Sequence, residues 1–75
     1  MNNNQRKKLK EAQTHLGMAL GIVSTIKDEE QDKLDNTPEN LQNSERYTIM
    51  ENAIDELEEA VDNIEQATEC IDNVF

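Results

Sequence analysis

Cysteine, proline, glycine and aromatic residues are nearly missing from this chain: one Cys, one Pro, two Gly, one Tyr, one Phe and no Trp among 75 residues. A lone Cys70 closes no internal disulfide, so a disulfide scaffold is excluded and a reducing compartment fits better. So few glycines and prolines exclude a turn-rich β fold. The chain is also short. A domain of this size buries only about 60% of the surface its unfolded chain exposes, which rules out a multi-domain enzyme and leaves a core that a partner would strengthen.

A long hydrophobic run is missing as well. Leu16 to Val23 is the most apolar stretch, and Arg6, Lys7, Lys8 and Lys10 precede it, as in a signal peptide. No small-x-small cleavage site follows, and the stretch continues into Lys27-Asp28-Glu29-Glu30. It is also much shorter than the roughly 20 residues a membrane span needs. A cytoplasmic protein with no membrane partner is expected.

What the sequence does have is helical periodicity. Leu9, Ala12, Leu16, Ala19, Val23 and Ile26 step by alternating threes and fours, a stripe on one face of a helix predicted over about 4–35. Met50, Ile54, Leu57, Val61, Ile64, Thr68, Ile71 and Phe75 do the same in a second helix over about 44–74, with Ala53, Ala60, Ala67 and Val74 along one edge. The linker, about 36–43, contains Thr37-Pro38, read as an N-cap and first helical position of a short turn. Leu41 is expected to plug the end of the bundle and Ser44 to cap the second helix.

The fold class expected is therefore all-α, one domain, an antiparallel two-helix hairpin. Folding it back pairs Leu9 with Ile71, Leu16 with Ile64 and Val23 with Leu57, and sets Arg6, Lys7, Lys8 and Lys10 beside Glu65, Glu69 and Asp72. The basic cluster is then read as charge complementarity within the hairpin, not as a direct nucleic-acid contact. Met18, Leu20 and Ile22 carry more apolar surface than one partner helix covers, and are the expected interface of a homo-oligomer, a four-helix bundle being the simplest. A monomer with a few exposed apolar side chains is the alternative.

The charge is unevenly placed. Of a formal −10, the chain through Lys27 carries five basic and one acidic residue, and the remainder two basic and sixteen acidic. After Arg46 there is no Lys or Arg at all. Glu51, Asp55, Glu58, Glu59, Asp62 and Glu65 are the candidate partner-binding face; acidic i,i+4 pairs among them oppose the helix. Nine carboxylates from Glu51 to Asp72 cover about 32 Å, near the linear charge spacing of a nucleic-acid strand, so docking on a basic protein or mimicry of nucleic acid is physically open. Solubility, steering of encounter and a merely solvated face are the other readings.

Enzyme and metal chemistry find little support. Asp28, Glu29, Glu30 and Asp32 lack both the calcium-loop pattern and a Glu-x-x-His pair. His15 and Cys70 fall near one another in the hairpin register, but a Cys-His nucleophile also needs an oxyanion site and a pocket. Gly17 and Gly21 form G-x-x-x-G, a weak sign of close packing in a soluble helix. No enzyme activity, cofactor or metal is expected.

The linker Asp35-Asn36-Thr37-Pro38-Glu39-Asn40-Leu41-Gln42-Asn43-Ser44-Glu45-Arg46 and the following Ala53-Ile54-Asp55-Glu56-Leu57-Glu58-Glu59-Ala60 resemble small acidic proteins of phages and mobile elements of Firmicutes. The resemblance covers about half of the chain. It implies a phage or prophage accessory protein inside a bacterial cell and carries no activity over to particular residues; with the acidic face, the expectation is a non-enzymatic protein that binds a host protein, an anti-defence inhibitor being one form. A self-assembling structural bundle is the competing expectation.

Overall fold

The computed structural model describes residues 1–75 and is an antiparallel helical hairpin. Helix α1 spans Asn3–Asp35, a 3-10 turn spans Glu39–Leu41, and helix α2 spans Glu45–Asp72. Both helices begin at well-made caps. The Asn2 side chain accepts from the Gln5 N–H at 2.8 Å while the Asn2 N–H donates to the Gln5 side chain at 3.0 Å, a reciprocal box that satisfies two N–H groups at this helix start. Ser44 Oγ accepts from the Tyr47 N–H at 3.2 Å and caps α2, as expected, with Glu45 in the first turn facing the positive helix end.

The linker differs in detail. Thr37 does not cap the short turn: its hydroxyl donates back to the Lys33 carbonyl at 2.9 Å, and the Asn36 amide donates to the Asp32 carbonyl at 2.8 Å. The Thr37 hydroxyl thus serves the Lys33 carbonyl, whose i+4 N–H turns to Leu34 instead, while the Asn36 side chain adds a second bond to the Asp32 carbonyl, which also accepts from the Asn36 backbone N–H at 3.1 Å. Pro38 precedes the 3-10 turn and has no side-chain cap. Leu41 is 49% exposed and plugs nothing.

The two helices share one seam. On α2 the seam holds Tyr47, Met50, Ile54, Leu57, Val61, Ile64, Thr68 and Ile71, the predicted stripe with Tyr47 added at one end and Phe75, 51% exposed, lost at the other. Ala60 and Ala67 are half-buried at its edge, whereas Ala53 and Val74 are exposed. On α1 the half-buried positions run Leu9, Ala12, Leu16, Ala19, Leu20, Val23, Lys27, Glu30 and Leu34, with Gln13, Ser24 and Gln31 beside them. The half-buried positions of both helices thus recur at alternating steps of three and four, facing each other across one seam. Gln13 Nε2 donates to Asp72 Oδ1 near the open end. Helical side chains lean toward their own N-terminus, so in antiparallel neighbours these two lean toward each other.

Ile26 is not in the seam. It is 44% exposed, and Lys27, whose side chain keeps only 27% exposure, occupies the layer. The step from Val23 that stays in phase is four residues; the lysine stem covers apolar surface while its ammonium reaches out to Asp28 at 3.6 Å.

Ile54 is the one fully buried residue, 3% exposed. Ile54→Ala should cost about 2–4 kcal/mol, whereas Ile49→Ala, at a position 61% exposed, should change stability by less than about 0.5 kcal/mol. Urea unfolding followed by circular dichroism checks the contrast.

Candidate interaction surfaces

Two surfaces remain after the hairpin closes. The first is the acidic flank of α2. Glu51, Asp55, Glu58, Asp62 and Glu65 follow one another at alternating steps of four and three, and Glu69 and Asp72 continue the series without a break. That is the same period as the seam, so the seven carboxylates form one line beside it, about 32 Å long. Glu59, the sixth of the expected face, stands off this line. All of these side chains are exposed.

None of them has a cationic partner. The hairpin contains two ion pairs, Lys27 with Asp28 and Lys33 with Glu30, both within α1. The expected pairing of Arg6, Lys7, Lys8 and Lys10 with Glu65, Glu69 and Asp72 is not formed. Lys10 instead lies over the Phe75 ring, 5.7 Å from its centre, and Asp72 accepts from Gln13. Four long basic side chains on an exposed helix end lose rotamer freedom if they reach across to carboxylates, and in water the gain does not cover that loss.

The second surface is the outer face of α1. The expected interface residues do not share one side: Leu20 is half-buried in the seam, whereas Met18 and Ile22 are 57% and 63% exposed on the opposite side. Ile26 joins them there, with Gly17, Gly21 and Thr25, around a shallow hollow of about 620 Å³. A Cβ added at Gly17 or Gly21 meets nothing within 4 Å. No hairpin neighbour therefore requires either glycine, although each costs the helix about 1 kcal/mol relative to alanine. The Thr25 hydroxyl donates to the Gly21 carbonyl at 2.8 Å, so its polar group is satisfied within the helix.

A hollow of about 480 Å³ also opens at the linker, between Lys33, Thr37, Pro38, Leu41, Arg46 and Tyr47. The Lys33 ammonium there is held above its usual pKa, first by its 2.9 Å hydrogen bond to Glu30 and then by the charge of that carboxylate. A raised lysine pKa means the contribution is complete at neutral pH and lost only in strong alkali. His15 and Cys70 are both exposed and make no hydrogen bond to each other. No three acidic, His or Cys side chains converge into a metal site, Asp28 to Asp32 included. No helix is long and apolar enough to cross a membrane.

Comparison with known proteins finds no matching family model, no matching curated protein and no matching solved structure.

The signal for the seven-membered acidic line was present in the spacing of α2, which continues to Glu69 and Asp72. Helical spacing also sets Leu20 on one edge of the α1 stripe and Met18 and Ile22 on the other; that the Leu20 edge lies in the seam is seen in the structure. Because acidic i,i+4 neighbours repel by a few tenths of a kcal/mol each, salt should stabilise dilute protein. Raising ionic strength from about 0.02 M to about 0.5 M shortens the Debye length from about 20 Å to about 4 Å, and the urea midpoint should rise. A fall would mean that attractive ion pairs dominate.

Proposed function

We propose that this protein is a non-enzymatic binding module that docks on a basic protein surface through the acidic flank of α2. The observation that carries the reading is the uninterrupted line of seven exposed carboxylates with no cationic partner anywhere in the hairpin. A helix chosen for solubility alone mixes its signs, and Glu-to-Lys pairs at i,i+4 would have strengthened α2 where acidic pairs weaken it. The acidic line costs local stability, and a cationic partner returns that cost on binding. A rigid rod of negative charge also draws a basic partner from solution and speeds encounter.

The linker resemblance supports a phage or mobile-element accessory protein within a bacterial cell, its partner a host protein. Mean axial spacing along the line is about 5 Å at 1.5 Å rise per residue, wider than the roughly 3.4 Å of a nucleic-acid strand, so the array resembles a phosphate backbone in sign and regularity and not in exact spacing. Mimicry of this kind is the inhibitory form of the proposal. A self-assembling scaffold is the alternative, favoured by a different observation, the exposed Met18, Ile22 and Ile26.

The triple variant Glu58→Lys, Asp62→Lys, Glu65→Lys should keep its helicity by circular dichroism and lose capture of the host protein that the wild type retains. Capture by the wild type should fall steeply with salt. For the inhibitory form, duplex DNA added to the captured partner should displace the wild-type protein. Undiminished capture by the triple variant would sink the acidic-face reading; loss of capture with Met18→Glu alone would favour the scaffold.

A further inference from the structure

The outer face of α1 has a charge pattern that selects its occupant. Met18 and Ile22, more than half exposed, lie at the middle of the helix beside Gly17 and Gly21. Toward the N-terminus the helix carries Lys7 and Lys8, with Glu11 a turn further on; toward the C-terminus it carries Glu29 and Asp32, with Lys33 tied to Glu30, so each end keeps a net charge of its own sign, and Lys7, Lys8, Glu29 and Asp32 are all four exposed. None of the four takes part in an ion pair of the hairpin. The residue midway between Lys7 and Asp32, or between Lys8 and Glu29, falls within one position of the midpoint of Gly17 and Gly21. Each charged end is about 17 Å from that centre at 1.5 Å per residue.

We propose that a second copy of this chain covers this face, its α1 antiparallel to the first, with the two-fold axis passing between Met18 and Gly21. A two-fold axis at that point sets each glycine edge against its copy and lets the backbones approach, while Met18 and Ile22 of one chain pack on those of the other. It also sets Lys7 and Lys8 of each chain beside Glu29 and Asp32 of its partner, at both ends of the contact. A parallel arrangement fails this test, because it opposes lysine to lysine and carboxylate to carboxylate. The face is thus self-complementary in one orientation only. The two glycines, which the hairpin does not need, are explained by the close approach.

Sedimentation equilibrium of the full chain should give a dimer, and Met18→Glu with Ile22→Glu a monomer of unchanged helicity. Lys7→Glu with Lys8→Glu should weaken the dimer by at least about tenfold, as should Glu29→Lys with Asp32→Lys. All four reversals in one chain should restore it, a rescue that a parallel pairing does not produce. Gly17→Ala with Gly21→Ala should stabilise the dilute hairpin against urea and yet weaken the dimer, two opposite shifts that a helix-propensity effect alone cannot give. A wild type monomeric at all concentrations, a dimer indifferent to the reversals, or a monomer that co-sediments with zwitterionic vesicles through this face would each overturn the proposal.

Discussion

Two helices can share only one seam, and every other property of this molecule is a consequence of that limit. A side chain facing a single partner helix is covered from one direction, so the seam residues are half-buried and Ile54 alone is closed in. Hydrophobic burial is then spread over many partial contacts along a rod of 59 × 14 × 14 Å. Most of each helix circumference faces solvent, and function has to be sought on surfaces.

The same limit explains why the hairpin was largely legible in the sequence. Pairing requires two stripes of one period and equal length, and the Met50 to Ile71 stripe keeps that period without exception. Register follows because a short linker fixes the end at which pairing starts. Legibility failed where residue type and helical phase disagreed. Ile26 is apolar but out of phase; Lys27 is charged but in phase, and its long stem makes it an acceptable seam residue. Phe75 lies beyond the last turn of α2, where the periodic argument no longer applies. The acidic face was legible as composition, and its alignment beside the seam as spacing. Spacing sets Leu20 opposite Met18 and Ile22, but not which of the two edges the partner helix covers; the half-burial of Leu20 decides that.

Charge placement follows from the one-seam geometry too. The basic end of α1 and the acidic end of α2 lie side by side, yet on so exposed a rod the lysines stay solvated because pairing in water gains less than the rotamer freedom it costs. The basic cluster and the acidic line therefore act as separate features of one rod. That separation makes both available to other molecules. A neutralised cluster would have offered nothing to a partner.

The two candidate surfaces belong to different helices, and this makes them compatible. In the antiparallel pairing of α1, each glycine-edged face is consumed at the centre of the assembly while α2 stays outside, so two acidic lines are displayed on one particle. Lys7 and Lys8 are occupied by the partner's carboxylates in that arrangement, and the exterior becomes more uniformly negative than that of the hairpin alone. A partner with two basic sites, or a dimeric one, then gains from simultaneous engagement without any new contact. A single hairpin with so thin a core is a weak rod on which to mount an ordered line of charge; pairing stiffens α1 and, through the seam, α2. In the proposed arrangement, assembly and partner binding are two steps of one design, in which the apolar face supplies rigidity and the acidic face supplies recognition.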